Sequence, residues 1–297
     1  MSLPDFDLEL PATLDEALAL LGRVGPRPLV MAGGTDVLVL AKQGVLEPAV
    51  VVSLSRLQEI RGIRQDGAVV AIGGGTSITA LESSALLLEE ATALVDAART
   101  MATVQIRNRA TVAGNLATAA ACADLAPPLV ALGASVRLRS ASAERVVPLA
   151  GFFRGARATV LEPAELITTI EVPARAPGSG SAFVKFGYRR GAQIAVASAA
   201  AWVVLADGIV RDVRIVLGAV APVPLDVRGA AALLGQRPER AALEAACRAA
   251  AAECLPISDL RGSAQYRRAV VAVVTRQAVE LAARRAASTS PETGGAS

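Results

Sequence analysis

Two runs of small residues carry the groups best placed to do chemistry. In "VMAGGTDVLVLAKQG", Val30 to Gly44, Gly33 and Gly34 stand between a short apolar strand and a helical pattern. In "TVAGNLATAAACAD", Thr111 to Asp124, small residues again gather around a turn. A backbone stripped of side chains either turns sharply or lets something large and polar come close. In the second case the chemistry is recognition of a diphosphate without Lys or Arg, by several inward-pointing N–H donors. Gly33 and Gly34 would expose that backbone, and a helix capped at Thr35 would aim its free N–H groups at the loop. Thr111 and Asn115 would add side-chain donors from a second wall. A turn followed by an N-cap accounts for "GGT" as well. A third cluster, "AIGGGTS" from Ala71 to Ser77, lowers the value of each glycine taken alone. None of the three fits G-x-G-x-x-G or is followed by a P-loop lysine, which disfavours a Rossmann dinucleotide site and an ATPase.

The chain has 297 residues and no histidine. That removes Ser-His-Asp and Cys-His catalysis and most zinc sites. Three cysteines, Cys122, Cys247 and Cys254, are too few for a four-thiolate iron–sulfur site, and their scatter argues against a disulfide framework. Any redox chemistry would fall to a bound organic cofactor. The net charge of +3 comes from dispersed basic residues with 3% aromatics, which does not make a nucleic-acid face. No apolar run reaches the roughly 20 residues of a membrane helix. The opening "MSLPDFDLELP" lacks a secretory pattern, so a soluble, cytoplasmic protein is expected.

The elements that must position these runs follow from patterning. "PATLDEALALLG" carries a capping box, Thr13 with Glu16, ahead of a short amphipathic helix. "RPLVMAGG" and "AVVVSLS" read as strands, and "TDVLVLAKQG" as a helix from Thr35 to a stop at Gly44. "IRGIRQDGAVVAIGGG" predicts a hairpin at Asp66-Gly67, and "SITALESSALLLEEATALVDAARTMA" a largely helical stretch. Strands follow near "ASVRLRS" and "ELITTIEVP". "ARAPGSGSA", Ala174 to Ala182, reads as a linker, because Pro, Gly and Ser cluster there. Beyond it come three strands, one pair turning at Asp207-Gly208, and two helices. Together these make two α+β domains.

Taken in order, "MAGGTDVLVLAKQG", "QIRNRATVAGNLATAAACADLAPPLVALGA", "AELITTIEVP" and "SAFVKFGYRRGAQIAVASAA" resemble the FAD-binding subunit of the molybdenum hydroxylases. That family includes the medium subunit of aerobic carbon monoxide dehydrogenase and the flavin domain of xanthine dehydrogenase. The resemblance covers nearly the whole chain. It implies an α+β chain: a two-subdomain FAD-binding fold of the vanillyl-alcohol oxidase (PCMH) type over 1–175, a smaller α+β flavoprotein C-terminal domain over 180–286, and a disordered tail over 287–297.

By motif match, Met31, Ala32, Gly33, Gly34, Thr35, Asp36 and Val37 would surround the FAD diphosphate from one side. Thr111, Val112, Ala113, Gly114 and Asn115 would do so from the other. Met101 would line the cofactor, though burial frequency alone reads it as a core methionine. Asp124 would accept a hydrogen bond from a ribityl hydroxyl or ring N–H; read alone it is an N-cap before "LAPPLVALG". Ile167 would pack near the flavin ring and Lys185 would contact the cofactor; alone they read as a core strand residue and a surface lysine. The family carries two glycines where this chain has Ala113-Gly114, and a Cβ at the first disfavours φ > 0. Cys122 reads as a small buried hydrophobe.

The resemblance further implies an electron-transfer subunit. Substrate would be oxidised at a molybdenum cofactor on a large subunit, and electrons would pass through [2Fe-2S] clusters of a small subunit to FAD and an external acceptor. The assembly implied is a dimer of heterotrimers, with no nucleic acid and no membrane span. "QIRNRA" and "GYRRGAQ" are the docking surfaces expected near the cofactor. Two rivals stay open: a self-contained FAD oxidoreductase using Tyr188, Tyr266, Lys, Glu or Asp as its acid–base group, and a nucleotide-binding module without redox activity.

Overall fold

The capping box at the start of the chain forms as the sequence predicts. The Thr13 hydroxyl accepts from the N–H of Glu16, and the Glu16 carboxylate accepts from the N–H of Thr13, at the start of α1 (Leu14–Leu21). The structure, a computed structural model, describes residues 2–23, 28–189 and 191–289. The helix α1 lies between β1 (Asp7–Glu9) and β2 (Leu29–Met31), and α2 (Val37–Lys42) between β2 and β3 (Val50–Ser53). The three strands pair in parallel in the order β1-β3-β2. Leu14, Ala17, Leu18 and Leu21 of α1 close a small core with Val52, Leu54, Leu57 and Ile60. This is the smaller lobe. The helix expected to be capped at Thr35 begins at Val37 instead, with Asp36 in the N-cap position and no side-chain cap.

The larger lobe is built on an antiparallel five-stranded sheet. Its strands are β4 (Ile63–Asp66), β5 (Val69–Gly73), β6 (Ser135–Arg139), β7 (Glu144–Pro148) and, in the centre, β10 (Leu166–Pro173), ordered β4-β5-β10-β6-β7. The hairpin at Asp66-Gly67 forms, with Gly67 at φ +59°. A two-stranded hairpin of β8 (Phe153–Gly155) and β9 (Ala158–Thr159) hangs below. The stretch expected to be mostly helical divides into α3 (Ile78–Glu82), α4 (Ala85–Glu90) and α5 (Thr92–Thr100). The breaks have a local cause, because Ser84 turns its hydroxyl back to cap α4 and Ala91 leaves the helical region before α5. Three further helices, α6 (Val104–Arg107), α7 (Val112–Thr118) and α8 (Ala126–Ala131), complete the lobe.

The C-terminal domain has the antiparallel order β11 (Ser179–Phe186), β12 (Ala197–Ala206), β13 (Ile209–Gly218) and β14 (Leu225–Asp226). Asp207 and Gly208 turn the central pair at φ +55° and +74°. The helices α9 (Arg240–Glu253) and α10 (Ala264–Ala287) cover one face of this sheet. "AVASAAAWVVLA" is apolar but for the buried Ser198, because both faces of the sheet are covered. Ala197, Ala199, Ala201, Val203 and Leu205 meet the helices, while Ala200 and Trp202 join Phe183 and Val216 against the core of the larger lobe.

The linker is shorter than Ala174–Ala182. The strand β11 takes over at Ser179, and a Cβ on Gly180 would stand 2.3 Å from the carbonyl oxygen of Ala282. That glycine is there so that α10 can press on the strand, not for flexibility. The expected tail overlaps ordered chain: α10 runs through Ala287, and the Thr289 hydroxyl donates to the carbonyl of Ser179. Residues 290–297 lie outside the described residues. No helix among the described residues is long and apolar enough to cross a membrane.

One side chain ties the two domains together. Asp96 of α5 accepts from both terminal nitrogens of Arg285, at 2.6 and 3.1 Å, and from the N–H of Phe183 at 3.1 Å. Asp96→Ala should cost about 1–3 kcal/mol, since it leaves two part-buried donors without their acceptor. Asp96→Asn, which keeps one carbonyl acceptor, should cost less. Chemical denaturation of the apo chain measures both; equal stability of all three proteins would place the clamp elsewhere.

Candidate functional site

A cleft of about 900 Å³ opens between the two lobes and reaches the C-terminal domain at Ala192 to Ile194. Ala32 to Val37 form one wall; Thr111, Ala113, Gly114 and Asn115 form the facing one. Met101, Asp124 and Ile167 line the space between them. Thus the two small-residue runs, far apart in sequence, meet across one cavity. Met31, Val112 and Lys185 are not on its surface. Val112 is fully buried in the core of the larger lobe. The Met31 thioether sits behind Gly34, 3.3 Å from where a Cβ on that glycine would stand.

Backbone accounting separates the three glycine clusters. Every N–H from Gly73 to Gly75 is spent inside the fold, on the carbonyls of Gly62, Thr168 and Ile60. Their missing side chains serve close approach, because a Cβ on Gly74 would lie 2.1 Å from the carbonyl of Ile167. From Val112 to Asn115 the N–H groups are also spent, on Thr76, Gly74, the Thr111 hydroxyl and the Thr111 carbonyl. The second wall therefore offers side chains, not backbone. The first run differs: among the described residues, no acceptor meets the N–H groups of Gly33, Gly34, Thr35 or Asp36. They line a cavity with their donors unspent, which a folded chain rarely permits unless water or a ligand takes them.

The two glycines of that run also have reasons internal to the chain. A Cβ on Gly33 would stand 2.1 Å from the carbonyl oxygen of Arg109 and 2.9 Å from the Cα of Ala110. Gly34 adopts φ +75°, which L-residues rarely hold. Turn and cradle are thus one arrangement. The helices beyond both runs have six and seven residues, so their dipoles add little and the individual N–H groups matter. Ala113 sits in the regular turn of α7 without positive φ, and its Cβ occupies space that Gly74 leaves open. The substitution of alanine for glycine at this position carries no strain.

The acidic and basic residues singled out from the sequence form one unit. Asp124 Oδ2 lies 2.6 Å from Lys185 Nζ, and the side chains are 9% and 0% exposed. Lys185 also donates to the carbonyl of Thr100 at 3.3 Å. Lys185 is therefore not a surface lysine, and it meets the cleft only through Asp124. Nor is Asp124 an N-cap, since Leu125 holds that position at α8 without any side-chain bond. Burial pushes the Asp124 carboxyl above its ordinary range, and the charge of Lys185 pulls it back. Two buried acceptors at the cleft have no partner among the described residues: Asp124 Oδ1 and Asn115 Oδ1. Unspent N–H donors on one wall and unspent oxygens on the other suit a ligand carrying both phosphates and hydroxyls or ring N–H groups.

Other expectations move. Tyr188 donates its hydroxyl to the carbonyl of Arg261 and packs edge-on with Phe186, which also meets Tyr266; neither tyrosine lines the cleft. Cys122 does line it and is half-buried. In "QIRNRA", Arg107 turns inward to Glu82 at 2.8 Å and to the carbonyl of Met101 at 3.0 Å, so it is not free to dock a partner. In "GYRRGAQ", Arg190 lies outside the described residues. A third wall, Leu161 to Ile167, went largely unforeseen. It carries Glu162 and Glu165, and two nitrogens of Arg145 reach Glu165 at 2.7 Å and lower its pKa. Only the paired acids of "LEPAEL" hint at it, with no periodicity to place them. Among the described residues, no cluster of His, Cys, Asp and Glu could hold a metal.

The pairing of Asp124 with Lys185 fixes an expected outcome. Lys185→Met strands a buried carboxylate and should destabilise the apo chain by about 3–5 kcal/mol at neutral pH. Asp124 alone then favours its protonated form, so the deficit should shrink as pH falls below the raised carboxyl pKa. Adding Asp124→Leu should recover most of the loss. A double variant as unstable as the single one would contradict the pairing.

Residues 4–175 match the family model described as the FAD binding domain in molybdopterin dehydrogenase, and residues 182–282 the CO dehydrogenase flavoprotein C-terminal domain. The chain is 35% identical over 280 residues to the carbon monoxide dehydrogenase medium chain of Hydrogenophaga pseudoflava, covering 94% of this chain and 97% of that one. It is 30% identical over 275 residues to a xanthine dehydrogenase FAD-binding subunit of Escherichia coli, covering 91% and 94%. Among solved structures, carbon monoxide dehydrogenase from Hydrogenophaga pseudoflava superposes with a TM-score of 0.92 at 36% identity, over 96% of this chain and 99% of that chain. Quinoline 2-oxidoreductase from Pseudomonas putida 86 does so with 0.91 at 27%, over 96% and 99%. With its glycine-walled cleft, its two-lobed fold and these relatives, the chain belongs to the FAD-binding medium subunits of the molybdenum hydroxylases, the flavoprotein components of oxidoreductases such as carbon monoxide and xanthine dehydrogenase.

Proposed function

We propose that this subunit passes electrons from the [2Fe-2S] clusters of a small partner subunit through FAD to an external acceptor, while a large subunit oxidises substrate at its molybdenum cofactor. The observation that carries the proposal is that residues with unspent N–H donors, Gly33 to Asp36, line the same cleft as the orphaned oxygens of Asn115 and Asp124. Residues Ala32 to Val37 would hold the diphosphate by backbone, and Asn115 and Asp124 would take hydroxyl or ring N–H donors. Met101 and Ile167 supply apolar walls, and Met31, Val112 and Lys185 act from behind the surface. Thr111 and Gly114 hold the second wall through their mutual hydrogen bond, and Ala113 fills its curve. When bound, FAD supplies the redox chemistry, since it takes and releases electrons one or two at a time.

Lys185 holds Asp124 by its Oδ2, opposing the effect of burial on the carboxyl, and leaves Oδ1 without a partner among the described residues. The apolar lining would keep bulk water from the reacting end. Among the described residues, the ionisable side chains in the cleft are the carboxyls of Asp36, Glu47, Asp124, Glu162 and Glu165, together with the thiol of Cys122. Neither tyrosine reaches it, which takes Tyr188 and Tyr266 out as acid–base groups of a self-contained oxidoreductase and leaves that rival only the carboxyls. In this reading residues 1–175 are the FAD-binding unit and 180–286 the unit that closes the cleft's far end. Partner subunits would assemble as a dimer of heterotrimers in the cytoplasm, where free cysteines such as Cys122, Cys247 and Cys254 persist.

Two outcomes test this. Asn115→Leu should weaken FAD binding by roughly tenfold or more, the scale of one lost hydrogen bond to a buried partner. It should leave apo stability unchanged or raised, because an unsatisfied buried oxygen is removed. Titration of apo variant with FAD, beside a denaturation curve, measures both; unchanged affinity would take Asn115 out of the site. Separately, the FAD-loaded chain mixed alone with N-heterocycles, aldehydes or carbon monoxide should keep its flavin colour, while dithionite should bleach it. Bleaching by such a substrate without the other subunits would make the chain a self-contained oxidoreductase.

A further inference from the structure

A second cavity, about 350 Å³, lies where the linker, the start of α5, the C-terminal sheet and the end of α10 meet. It sits at the opposite end of α5 from Met101 and the FAD cleft, a helix of nine residues and so roughly 13 Å long. Three guanidinium groups line it: Arg175 from the linker, Arg214 from β13 and Arg285 from α10. Glu90 is the one carboxylate among the lining residues, and its oxygen is engaged by the backbone N–H of Arg175 at 2.7 Å.

The three arginines are not spent alike. Arg285 is held by Asp96 and the carbonyl of Ser181. Arg175 gives Nε to the carbonyl of Ser179 and Nη1 to the carbonyl of Glu89, but its Nη2 is buried without any acceptor. Arg214 makes no hydrogen bond among the described residues; its guanidinium carbon stands over the Trp202 ring, 4.3 Å from its centre, and Asp226 is close enough to feel its charge. A buried cationic donor without a partner is costly unless an anion meets it. Guanidinium forks match the oxygens of a phosphate. Thr92, Ser288 and Thr289 add hydroxyls to the lining.

We propose that this interdomain cavity binds a phosphate monoester, independently of FAD. Arg175 Nη2 and the free edge of Arg214 meet the phosphate oxygens, and the remaining volume takes a sugar-sized group, too small for a dinucleotide. The ligand touches both domains, so binding holds them together.

Trp202, the only tryptophan of the chain, lines this cavity and reports on it alone. The experiment titrates ribose 5-phosphate into the FAD-loaded full chain and follows Trp202 fluorescence and melting temperature, with ribose and potassium chloride at equal ionic strength as controls. The expected result is a saturable fluorescence change and a rise in melting temperature with the phosphate alone, without release of flavin. Arg214→Met and Arg175→Gln should each weaken binding about tenfold or more, as loss of a charge-assisted contact does. Arg175 also braces the linker, whereas Arg214 has no other hydrogen bond to lose, so Arg214→Met separates ligand binding from folding. No saturable change into the millimolar range, equal binding in Arg214→Met, an equal response to chloride, or displacement of flavin by the probe would each overturn the proposal.

Discussion

The cleft depends on a contact between two backbones. Gly33, on the turn after β2, presses against the Arg109 carbonyl and the Ala110 Cα, so closely that any side chain would push the lobes apart. This fixes the distance between the two small-residue runs and therefore the width of the cavity. It also explains why the first run leaves its N–H groups unspent. The turn is held from one side by the larger lobe, and Gly34 at φ +75° carries the chain round to α2. The residues that carry these donors line the cleft together with Thr111, Ala113, Gly114 and Asn115. Backbone donors stay unspent only where the chain is held this rigidly, because donors that could relax would find acceptors within the chain.

The C-terminal domain is not an appendage. Its sheet is covered on one face by α9 and α10 and on the other by the larger lobe, which is why β12 shows no alternation of apolar and polar residues and its one serine, Ser198, is buried. Polar ties then fix how it docks. Asp96 takes Arg285 and the Phe183 N–H, Thr92 and Ala93 meet Ser181, and Lys185 reaches Asp124. The Ala219 N–H donates to the carbonyl of Ala121, next to Cys122. Arg267, wholly buried, steadies that junction from behind through the carbonyls of Ala219, Val196 and Ile257. Hence the second domain sets the floor of the cleft at Asp124, and α5 runs between that cleft and the arginine-lined cavity.

Such a site suits a protein that moves electrons without handling protons on an organic substrate. Among the described residues its charged lining side chains are carboxylates, and the most buried of them is paired with a lysine from the other domain. The chain supplies orientation, exclusion of water and a polar cradle. The reactivity belongs to what it binds.

Much of this was legible in the residues themselves. The Thr13–Glu16 capping box, the turns at Asp66-Gly67 and Asp207-Gly208 and the two C-terminal helices follow from local chemistry, and local chemistry is written in neighbouring residues. The absence of histidine excluded whole classes of catalysis before any fold was known. The sequence also marked both walls of the cleft, because stripping side chains from a run is a local act. What it could not assign was the reason for each glycine. Gly74, Gly180 and Gly33 are all close-approach positions, yet only the last belongs to a run whose N–H groups remain unspent, and that depends on which distant carbonyl lies opposite. Nor could it see that Asp124 and Lys185, sixty-one positions apart, are one buried pair rather than two separate contacts. Pairing of charges, spending of backbone donors and the meeting of three arginines at one cavity are decided by contacts between segments far apart in sequence, and only the tertiary fold brings those segments together.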